Sequence, residues 1–506
     1  MVRVRIPLAT ALAGVLVLAA CGSDNSSGSS ATSAAATSAA ATSAAATTAG
    51  ATTTAAGGAS TTAAGGASTT AGASGTSGPN AAGINWDMAA ANAKLKEAIG
   101  DYPTVSGNTT QGVTANSVDL ACVAAETTTG GVPTVQKGWC QGAKARLDNA
   151  NKAKEIPLTI NLVSTTDTGS DPQKEQTDLT DAISNKKVFG LMFVAAGALQ
   201  SNPMETGHIP YFGDFFDCGK KTQFGYNVGY GILACAALPA ETNGGWTVYT
   251  DSIMQAYTKP KGTPISSVKY AGVGTSVPAI VAYQKVLVEQ LKAQGVQVVY
   301  TGNTLPPTSG EAVDLNPYVV PVIDSNPDVT GIFSGDPQLT ARLYGAMKDA
   351  GYKGDALAAF TSSQLQNPAT AQLVDNGLAT SAGWGFPGYG GKYWDAVSAD
   401  ATAVGAPVPV TQAFFHGWLA ADQFVTGMKD FLKSGKQVTS ENFANFLNQG
   451  WAWPGFGNVA APTIYPYGKY NVAPCATIAR ESAAQKKELP YQDLTCGTVF
   501  IQKISS

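Results

Sequence analysis

The chain has 506 residues, with 31 Lys plus Arg, 35 Asp plus Glu and 2 His. Its formal net charge of -4 provides no large basic surface for sequence-independent nucleic-acid binding. The two histidines, His208 and His416, are remote in the sequence and argue against a multi-histidine metal site. We therefore expect no metal, no cofactor and no nucleic-acid partner.

The N-terminus has the features of an export signal. Arg3 and Arg5 precede an uncharged apolar run that is too short to cross ~30 Å of hydrocarbon comfortably. The run ends in Leu18-Ala19-Ala20-Cys21, which resembles the lipobox of bacterial lipoproteins. That resemblance implies a signal peptide over 1–20 and a mature chain anchored through acyl groups, palmitate among them, on Cys21. The alternative is an ordinary secretory signal with an incidental cysteine.

Residues 21–80 consist almost entirely of Ala, Ser, Thr and Gly and carry one charge, Asp24. Short repeats recur in this stretch, but it has no large apolar side chains to bury, so a packed repeat fold is not expected. We predict a disordered tether with a span of roughly 40–45 Å. Its Thr and Ser residues are potential acceptors of O-linked sugars.

From residue 81 onward the sequence alternates between strand and helix patterns. Residues 81–111 are predicted to form a lead-in helix (87–99) and a loop. Asp171 is a predicted N-cap, with Pro172 at the first helical position. Strands separated by helices of this length predict two parallel α/β sheets. The predicted strands are 118–124, 158–163, 188–194, 209–212, 268–273, 296–300 and 329–333, and the helices are 139–154, 172–185, 277–294, 317–325 and 339–350.

The order of these pieces resembles a known family. Gly112-Val113-Thr114 leads into a strand and a glycine-bearing helix, Ser170-Asp171-Pro172 opens the next helix, and Lys348–Gly354 closes a later one. This order resembles the type I periplasmic binding proteins, specifically the branched-chain amino acid subfamily of ABC importers, over most of residues 112–475. The resemblance implies an α/β fold of two lobes, each a mainly parallel sheet flanked by helices.

The resemblance further implies that three crossover segments join the lobes, and that the lobes close on a ligand by hinge motion. We expect the crossings near 227–239, 380–386 and 451–457. Lobe 1 is then 112–230 plus 387–450, and lobe 2 is 240–380 plus 458–506. Glycines in the crossings, such as Gly383 and Gly455, either absorb the backbone rotation or simply form turns.

Six cysteines remain once Cys21 is set aside, and an even number in an exported body favours disulfides. Six cysteines allow 15 connectivities, so the pairing stays open. Nearest-neighbour pairing joins Cys122 to Cys140, Cys218 to Cys235 and Cys475 to Cys496. We expect the last pair to staple a tail with little regular structure. Buried free thiols are the alternative, and the lack of a C-x-x-C motif disfavours zinc.

Ligands of open α/β sheets bind at the carboxyl ends of the strands, where helix N-termini offer unpaired N–H groups. The loops at these positions, together with aromatic residues near the crossings, give the candidate ligand-binding residues. Aromatic side chains there either stack on a planar or sugar-like ligand or simply pack in the core and hinge. The candidates are Glu126, Thr127, Thr128, Ala196, Gly197, Phe215, Phe216, Ser276, Asp336, Ser362 and Trp384.

The sequence departs from the amino-acid-binding members of the family. Those members hold the substrate carboxylate with a Ser/Thr-rich loop, where this chain has Ala195-Ala196-Gly197. They bind the ammonium with an acidic residue of lobe 2, and the matching stretch 360–363 has none. Asp336 either compensates for this or only caps a helix. A free α-amino acid is therefore a poor candidate ligand.

The function expected from the resemblance is capture of a small organic ligand between the lobes and its delivery to an ABC permease. The protein is then a monomeric lipoprotein on the extracytoplasmic face of a bacterial cell membrane. We predict no catalytic residues, because the sequence has no G-x-S-x-G elbow, H-E-x-x-H motif or Walker A loop. A ligand-sensing surface receptor of the same fold, acting through a membrane partner, is the alternative.

Overall fold

The structure is a computed structural model, and the residues it describes from Ala93 onward belong to one compact unit, Gly75–Ser506. Ala93 and Lys96 are helical, and the rest of the predicted 87–99 helix lies outside the described residues. Among the described residues, no helix combines the length and apolar character needed to cross a membrane. Besides Ala93 and Lys96, the described ranges are 104–107, 109–127, 136–194, 202–214, 229–233, 246–276, 278–306, 314–334, 336–360, 362–382, 384–466 and 475–503.

Every strand and helix that the sequence predicts between residues 118 and 350 is present, in the predicted order. The strands are β1 (Ser117–Ala124), β2 (Thr159–Asp167), β3 (Gly190–Val194), β4 (Tyr211–Asp214), β5 (Gly229–Leu233), β6 (Trp246–Thr250), β7 (Lys269–Thr275), β8 (Gln297–Leu305), β9 (Val329–Phe333), β10 (Asp355–Ala358), β11 (Leu378–Ala382), β12 (Ala452–Trp453), β13 (Thr463–Ile464), β14 (Cys475–Ser482), β15 (Lys487–Cys496) and β16 (Val499–Lys503).

Helices connect and cover these strands. They are α1 (Trp139–Ala153), α2 (Pro172–Thr180), α3 (Asn202–Thr206), α4 (Ser252–Thr258), α5 (Pro278–Ala293), α6 (Asn316–Ser325), α7 (Pro337–Asp349), α8 (Ser362–Gln366), α9 (Pro368–Val374), α10 (Lys392–Ala403), α11 (Gln412–Leu432) and α12 (Ser440–Asn448). The predicted helix over 172–185 is not uniform, because a π-helical turn (Asp181–Asn185) follows α2.

Two sheets form the framework. The first has the order β2-β1-β3-β4-β5, and all of its strand pairs are parallel. The second has the order β15-β14-β11-β10-β9-β7-β8. Its β7 to β11 portion is parallel, whereas β14 and β15 join antiparallel at one edge. Parallel strands covered by helices on their faces define an α/β fold with two lobes.

The chain passes between the two sheets three times. It leaves the five-stranded sheet after β5 and enters the seven-stranded sheet at β7. After β11 it returns, because α10 and α11 share a core with β1, β3 and β4. The third passage runs through β12 and β13 to β14. These passages confirm the fold expected from the resemblance, while the exact lobe boundaries stay a prediction.

The helix starts show how local sequence places these elements. Asp171 is the N-cap of α2, and its carboxylate accepts hydrogen bonds from the N–H groups of Gln173 and Lys174 at 2.8 and 3.2 Å. Pro172 follows at the first helical position, where its missing N–H costs nothing. The predicted N-cap is therefore confirmed.

Helices α1 and α11 pack with their backbones in direct contact. A Cβ atom built on Gly142 of α1 would lie 1.8 Å from the carbonyl oxygen of Phe414. A Cβ atom on Gly417 of α11 would lie 1.9 Å from the carbonyl oxygen of Trp139. Only glycine fits at both positions, so the pair sets how closely α11 approaches the first sheet.

A buried charge network joins the same two helices. Arg146 of α1 donates to Asp422 of α11 at 2.8 Å and to both carboxylate oxygens of Glu155 at 2.6 and 3.0 Å. Burial lowers the pKa of Arg146, but the two carboxylates outweigh it and raise the pKa above its usual value. Burial alone would raise the pKa of Glu155, but its hydrogen bond to Arg146 outweighs burial, and the pKa lies below its usual value. Arg146 therefore stays charged in the core.

Two of the expected disulfides are present. Cys122 bonds to Cys140, which ties β1 to the first turn of α1, and Cys475 bonds to Cys496. The predicted pair of Cys218 and Cys235 lies outside the described residues. The expectation of a tail with little regular structure is wrong, because β14 and β15 form an antiparallel hairpin that extends the seven-stranded sheet.

Candidate functional site

The carboxyl ends of β1 and β2 carry a connected polar rim. The Thr127 hydroxyl donates to Asp167 Oδ2 at 2.7 Å, and the Thr127 N–H donates to Asp167 Oδ1 at 3.1 Å. The Ser170 hydroxyl donates to the carbonyl oxygen of Thr127 at 2.8 Å. Thr127, a predicted ligand residue, is thus held in a fixed orientation by Asp167, which the sequence reasoning did not single out.

Asp167 is the organising charge of this rim. Burial raises its pKa, but hydrogen bonds from the Gly169 N–H, from Thr127 and from the Glu126 N–H more than offset burial and lower the pKa below 3.8. Asp167 is therefore ionised throughout the neutral range, and its carboxylate already accepts hydrogen bonds from these donors. The signal for it in the sequence is an aspartate at a strand end followed by Thr168-Gly169.

Glu126 connects the rim to the start of α1. Its Oε1 atom accepts the Cys140 N–H at 3.0 Å, and its Oε2 atom lies 3.3 Å from Lys137 Nζ. An acidic side chain at this place complements the unpaired N–H groups at a helix N-terminus. Because Cys140 also holds the disulfide to β1, Glu126 sits where the strand and the helix are fastened together.

The seven-stranded sheet presents a second rim at the carboxyl ends of β7 and β9. Ser276 follows β7, is exposed, and donates its N–H to Leu305 at the end of β8 at 2.8 Å. Asp336 follows β9 and is the N-cap of α7, accepting from the N–H groups of Gln338 and Leu339 at 2.7 and 3.1 Å. Of its two predicted roles, the helix-capping one is therefore present.

The second and third crossings are hydrogen-bonded to each other. Trp384 forms an isolated antiparallel bridge with Ala460, and the Gly385 N–H donates to Val459 at 2.6 Å. The Trp384 side chain is 7% exposed, and its ring centroid lies 4.6 Å from that of His416 on α11. The Trp384 side chain therefore packs against α11, and its contact with a ligand stays a prediction.

The third crossing is also attached to α11. The Trp453 indole donates to Asp422 at 3.0 Å, and the Trp451 indole donates to Asp430 at 3.1 Å. Trp451 also stacks on Tyr465 with 5.9 Å between ring centroids. Both tryptophans lie within the predicted third crossing, 451–457, but no local pattern reveals their carboxylate partners, which are distant in the chain.

Of the other predicted ligand residues, one lies in a helix and five lie outside the described ranges. Ser362 was expected in a loop, but it is the first residue of the short helix α8. In the part of the chain that the structure describes, no group of three or more His, Cys, Asp or Glu side chains is arranged to hold a metal ion. The predicted residues outside the described ranges are Thr128, Ala196, Gly197, Phe215 and Phe216.

One protein-family model matches a region of the chain that includes strands of both sheets. The family model described as periplasmic binding protein matches residues 123–465, which is more than half of the chain. A comparison with curated protein sequences finds no match.

Solved structures share the fold at low sequence identity. A branched-chain amino acid ABC transporter protein of Thermus thermophilus with bound valine is 12% identical, with a TM-score of 0.55, and the alignment covers 76% of this chain and 98% of that one. A solute-binding protein of R. palustris in complex with 4-hydroxybenzoate is also 12% identical, with a TM-score of 0.53 and the same coverage. A branched-chain amino acid substrate-binding protein of Streptococcus pneumoniae in complex with isoleucine is 14% identical, with a TM-score of 0.55, over 75% of this chain and 99% of that one. The chain therefore belongs to the periplasmic binding protein family and has the type I fold of ABC-transporter substrate-binding proteins.

Proposed function

We propose that this protein is a solute-binding lipoprotein that captures a small organic ligand between its two lobes and delivers it to an ABC importer. The observation that carries the proposal is the family match over 123–465 on a fold whose two sheets are joined by three crossings. The family is extracytoplasmic and consists of binding proteins rather than enzymes. In this proposal the ligand shifts the population from open to closed because it binds the closed form more tightly.

The two polar rims support the proposed place of the ligand. Thr127 and Ser170 end the first sheet, and Ser276 and Asp336 end the second, all at carboxyl ends of parallel strands. The similar structures hold valine, isoleucine or 4-hydroxybenzoate, so this fold takes aliphatic amino acids and aromatic acids alike. Because Asp167 and Asp336 already bind backbone N–H groups, we propose a ligand recognised mainly by neutral hydrogen-bonding and stacking groups.

A ligand screen tests this proposal. Residues 81–506 are screened by thermal shift against amino acids, amides, sugars and aromatic acids. A ligand present at 100 times its Kd is expected to raise the free energy of unfolding by ~2.7 kcal/mol. The substitution Thr127→Val is expected to weaken that ligand about fivefold, or ~1 kcal/mol, because it removes the hydroxyl that Asp167 orients.

The control is Thr180→Val, an exposed threonine at the far end of α2 whose hydroxyl bonds to Gln176. It should leave the Kd unchanged. Phe216→Ala and Trp384→Phe extend the test to the predicted aromatic contacts. A true ligand whose Kd is the same in Thr127→Val, Phe216→Ala and wild type would place binding away from the first rim.

Lipid anchoring is tested separately through Cys21. In the full-length protein expressed in its own host, Cys21→Ala is expected to abolish palmitate labelling and to move the protein from the membrane fraction to the soluble fraction. Ser23→Ala is the matched control and should remain in the membrane fraction. Retention of Cys21→Ala in the membrane fraction would contradict the proposed anchor.

Transport is distinguished from sensing by deleting the gene and measuring uptake of the identified ligand. Importer function predicts that uptake falls in the deletion strain and returns with the wild-type gene. Normal uptake together with loss of a physiological response to the ligand would instead assign the protein to a sensory role.

A further inference from the structure

Three buried hydroxyl groups lie at one end of the seven-stranded sheet. Thr275 is the last residue of β7, Ser381 lies one residue before the end of β11, and Thr477 of β14 is directly opposite Ser381 in the antiparallel register. These residues are 1%, 3% and 0% exposed. None of the three hydroxyls has a hydrogen-bond partner among the residues that the structure describes. A buried hydroxyl without a partner is costly, so three of them in one sheet call for a reason other than packing.

The three hydroxyls continue one apolar face of the sheet. Side chains two residues apart on a strand point to the same face. The residues two positions away along the three strands, Val273, Ala379 and Ala479, all belong to one core cluster. The apolar layer of this face therefore ends in a hydroxyl layer, which consists of Thr275, Ser381 and Thr477.

The hydroxyl layer lies where ligands of such sheets bind, at the carboxyl ends of the parallel strands β7 and β11. Ser276 of the second polar rim follows Thr275 directly. In the five-stranded sheet, Thr168 follows β2, is 0% exposed, and its hydroxyl likewise has no partner in the described part of the chain. Of the five described Ser and Thr residues whose buried hydroxyls lack a partner, four thus lie at these ends of the two sheets.

The chemistry of the hydroxyl layer favours a neutral ligand with several hydroxyl groups. A Ser or Thr hydroxyl can both donate and accept a hydrogen bond, as a ligand hydroxyl does. Charged side chains at the rims already have partners, because Asp167 and Asp336 accept backbone N–H groups and Lys137 pairs with Glu126. Three strand spacings, roughly 14 Å, separate β7 from β11, so one ligand hydroxyl would not reach both strands.

We propose that Thr275, Ser381 and Thr477 are ligand-binding residues, and that the ligand is a neutral sugar or polyol whose hydroxyl groups pair with theirs. This inference rests on the proposed solute-binding function and adds the chemical class of the ligand. The hydroxyl layer gains its hydrogen-bond partners from the bound ligand. It is therefore unfavourable for the stability of the free protein and favourable for binding.

Thermal shift of the full protein tests the ligand class. The probes are glucose, arabinose, trehalose and myo-inositol, together with valine, isoleucine and 4-hydroxybenzoate, which the similar structures hold. At least one sugar or polyol is expected to raise the melting temperature, because a compound that binds only the folded state stabilises it. Binding of valine, isoleucine or 4-hydroxybenzoate, but of no sugar or polyol, overturns the inference and leaves the proposed function standing. Failure of the whole panel counts against both.

Two substitutions separate ligand binding from a structural role. Ser381→Ala and Thr477→Val are each expected to weaken the bound sugar or polyol about fivefold, because each removes a hydrogen bond to the ligand. Neither should lower the urea midpoint of the ligand-free protein, since no hydrogen bond within the protein is lost.

Thr477→Ser keeps a hydroxyl and should bind like the wild type. The control is Thr380→Val, whose side chain lies on the opposite face of β11 from Ser381 and which should also bind like the wild type. An unchanged Kd in both Ser381→Ala and Thr477→Val overturns the inference, and a urea midpoint that falls as well would assign the hydroxyls a structural role.

Discussion

Replacing Gly417 with alanine is expected to destabilise the protein by ~3 kcal/mol or more. The new methyl group would lie 1.9 Å from the Trp139 carbonyl oxygen and 3.1 Å from the Ala143 nitrogen. These are backbone atoms of α1, so no side-chain rotation relieves the clash and the two helices must move apart. Alanine's higher helix propensity returns only about 1 kcal/mol. Urea unfolding followed by circular dichroism measures the loss.

Gly427→Ala is the matched control because it lies on the same helix, α11. Its new methyl group would meet only side-chain atoms, the closest being Leu447 Cδ2 at 3.2 Å. We expect this variant to be as stable as the wild type or slightly more stable. Equal stability of Gly417→Ala and Gly427→Ala would show that α1 and α11 are not in backbone contact.

Replacing Arg146 with alanine is the second change with a large expected effect. It leaves Asp422, whose side chain is 9% exposed, without its cation, and a broken buried ion pair typically costs about 3–5 kcal/mol. It also removes the guanidinium that lies 5.4 Å from the centre of the Trp418 ring. Chemical unfolding at pH 7 measures the total loss.

The pH dependence separates lost charge pairing from lost packing. In the wild type Arg146 lowers the pKa of Glu155 from 4.5, so this part of its stabilisation is present above that pH and is lost as the pH falls below it. The deficit of Arg146→Ala should therefore shrink as the pH falls below 4.5. Lys144→Ala removes an exposed pair with Asp148 on the same helix and should change stability by less than ~0.5 kcal/mol. A deficit in Arg146→Ala that is constant with pH would assign its cost to packing alone.

Local sequence predicted the parallel core well, because the apolar runs and capping residues that indicate strands and helices are concentrated there. The strand over Val329–Phe333 matches its prediction at both ends, and Asp171 caps its helix as expected. The C-terminal hairpin was missed for a physical reason. Glu481 and Glu488 are charged residues in buried strand positions, so the sequence pattern of β14 and β15 is typical of an exposed segment.

The candidate site was also predictable only in part from the sequence. Position at a strand end was sufficient to place Thr127, Glu126 and Ser276 at the two rims, while their contact with a ligand stays a prediction. It was not sufficient to find their partners, since the hydrogen bond from Thr127 to Asp167 joins residues 40 positions apart. Likewise, no local pattern links Trp453 to Asp422, which lie 31 positions apart and meet only because α11 packs beside the third crossing.

The indole bonds of Trp451 and Trp453 have a mechanical consequence. They fix the start of the third crossing to α11. In the closing motion that we propose, this strand should therefore move with the first lobe as one body. Gly455 and Gly457 follow directly, and their φ angles of 74° and 58° are ones that glycine adopts without strain. Fluorescence from the two fixed tryptophans should therefore report on the integrity of the first lobe and stay constant during closure.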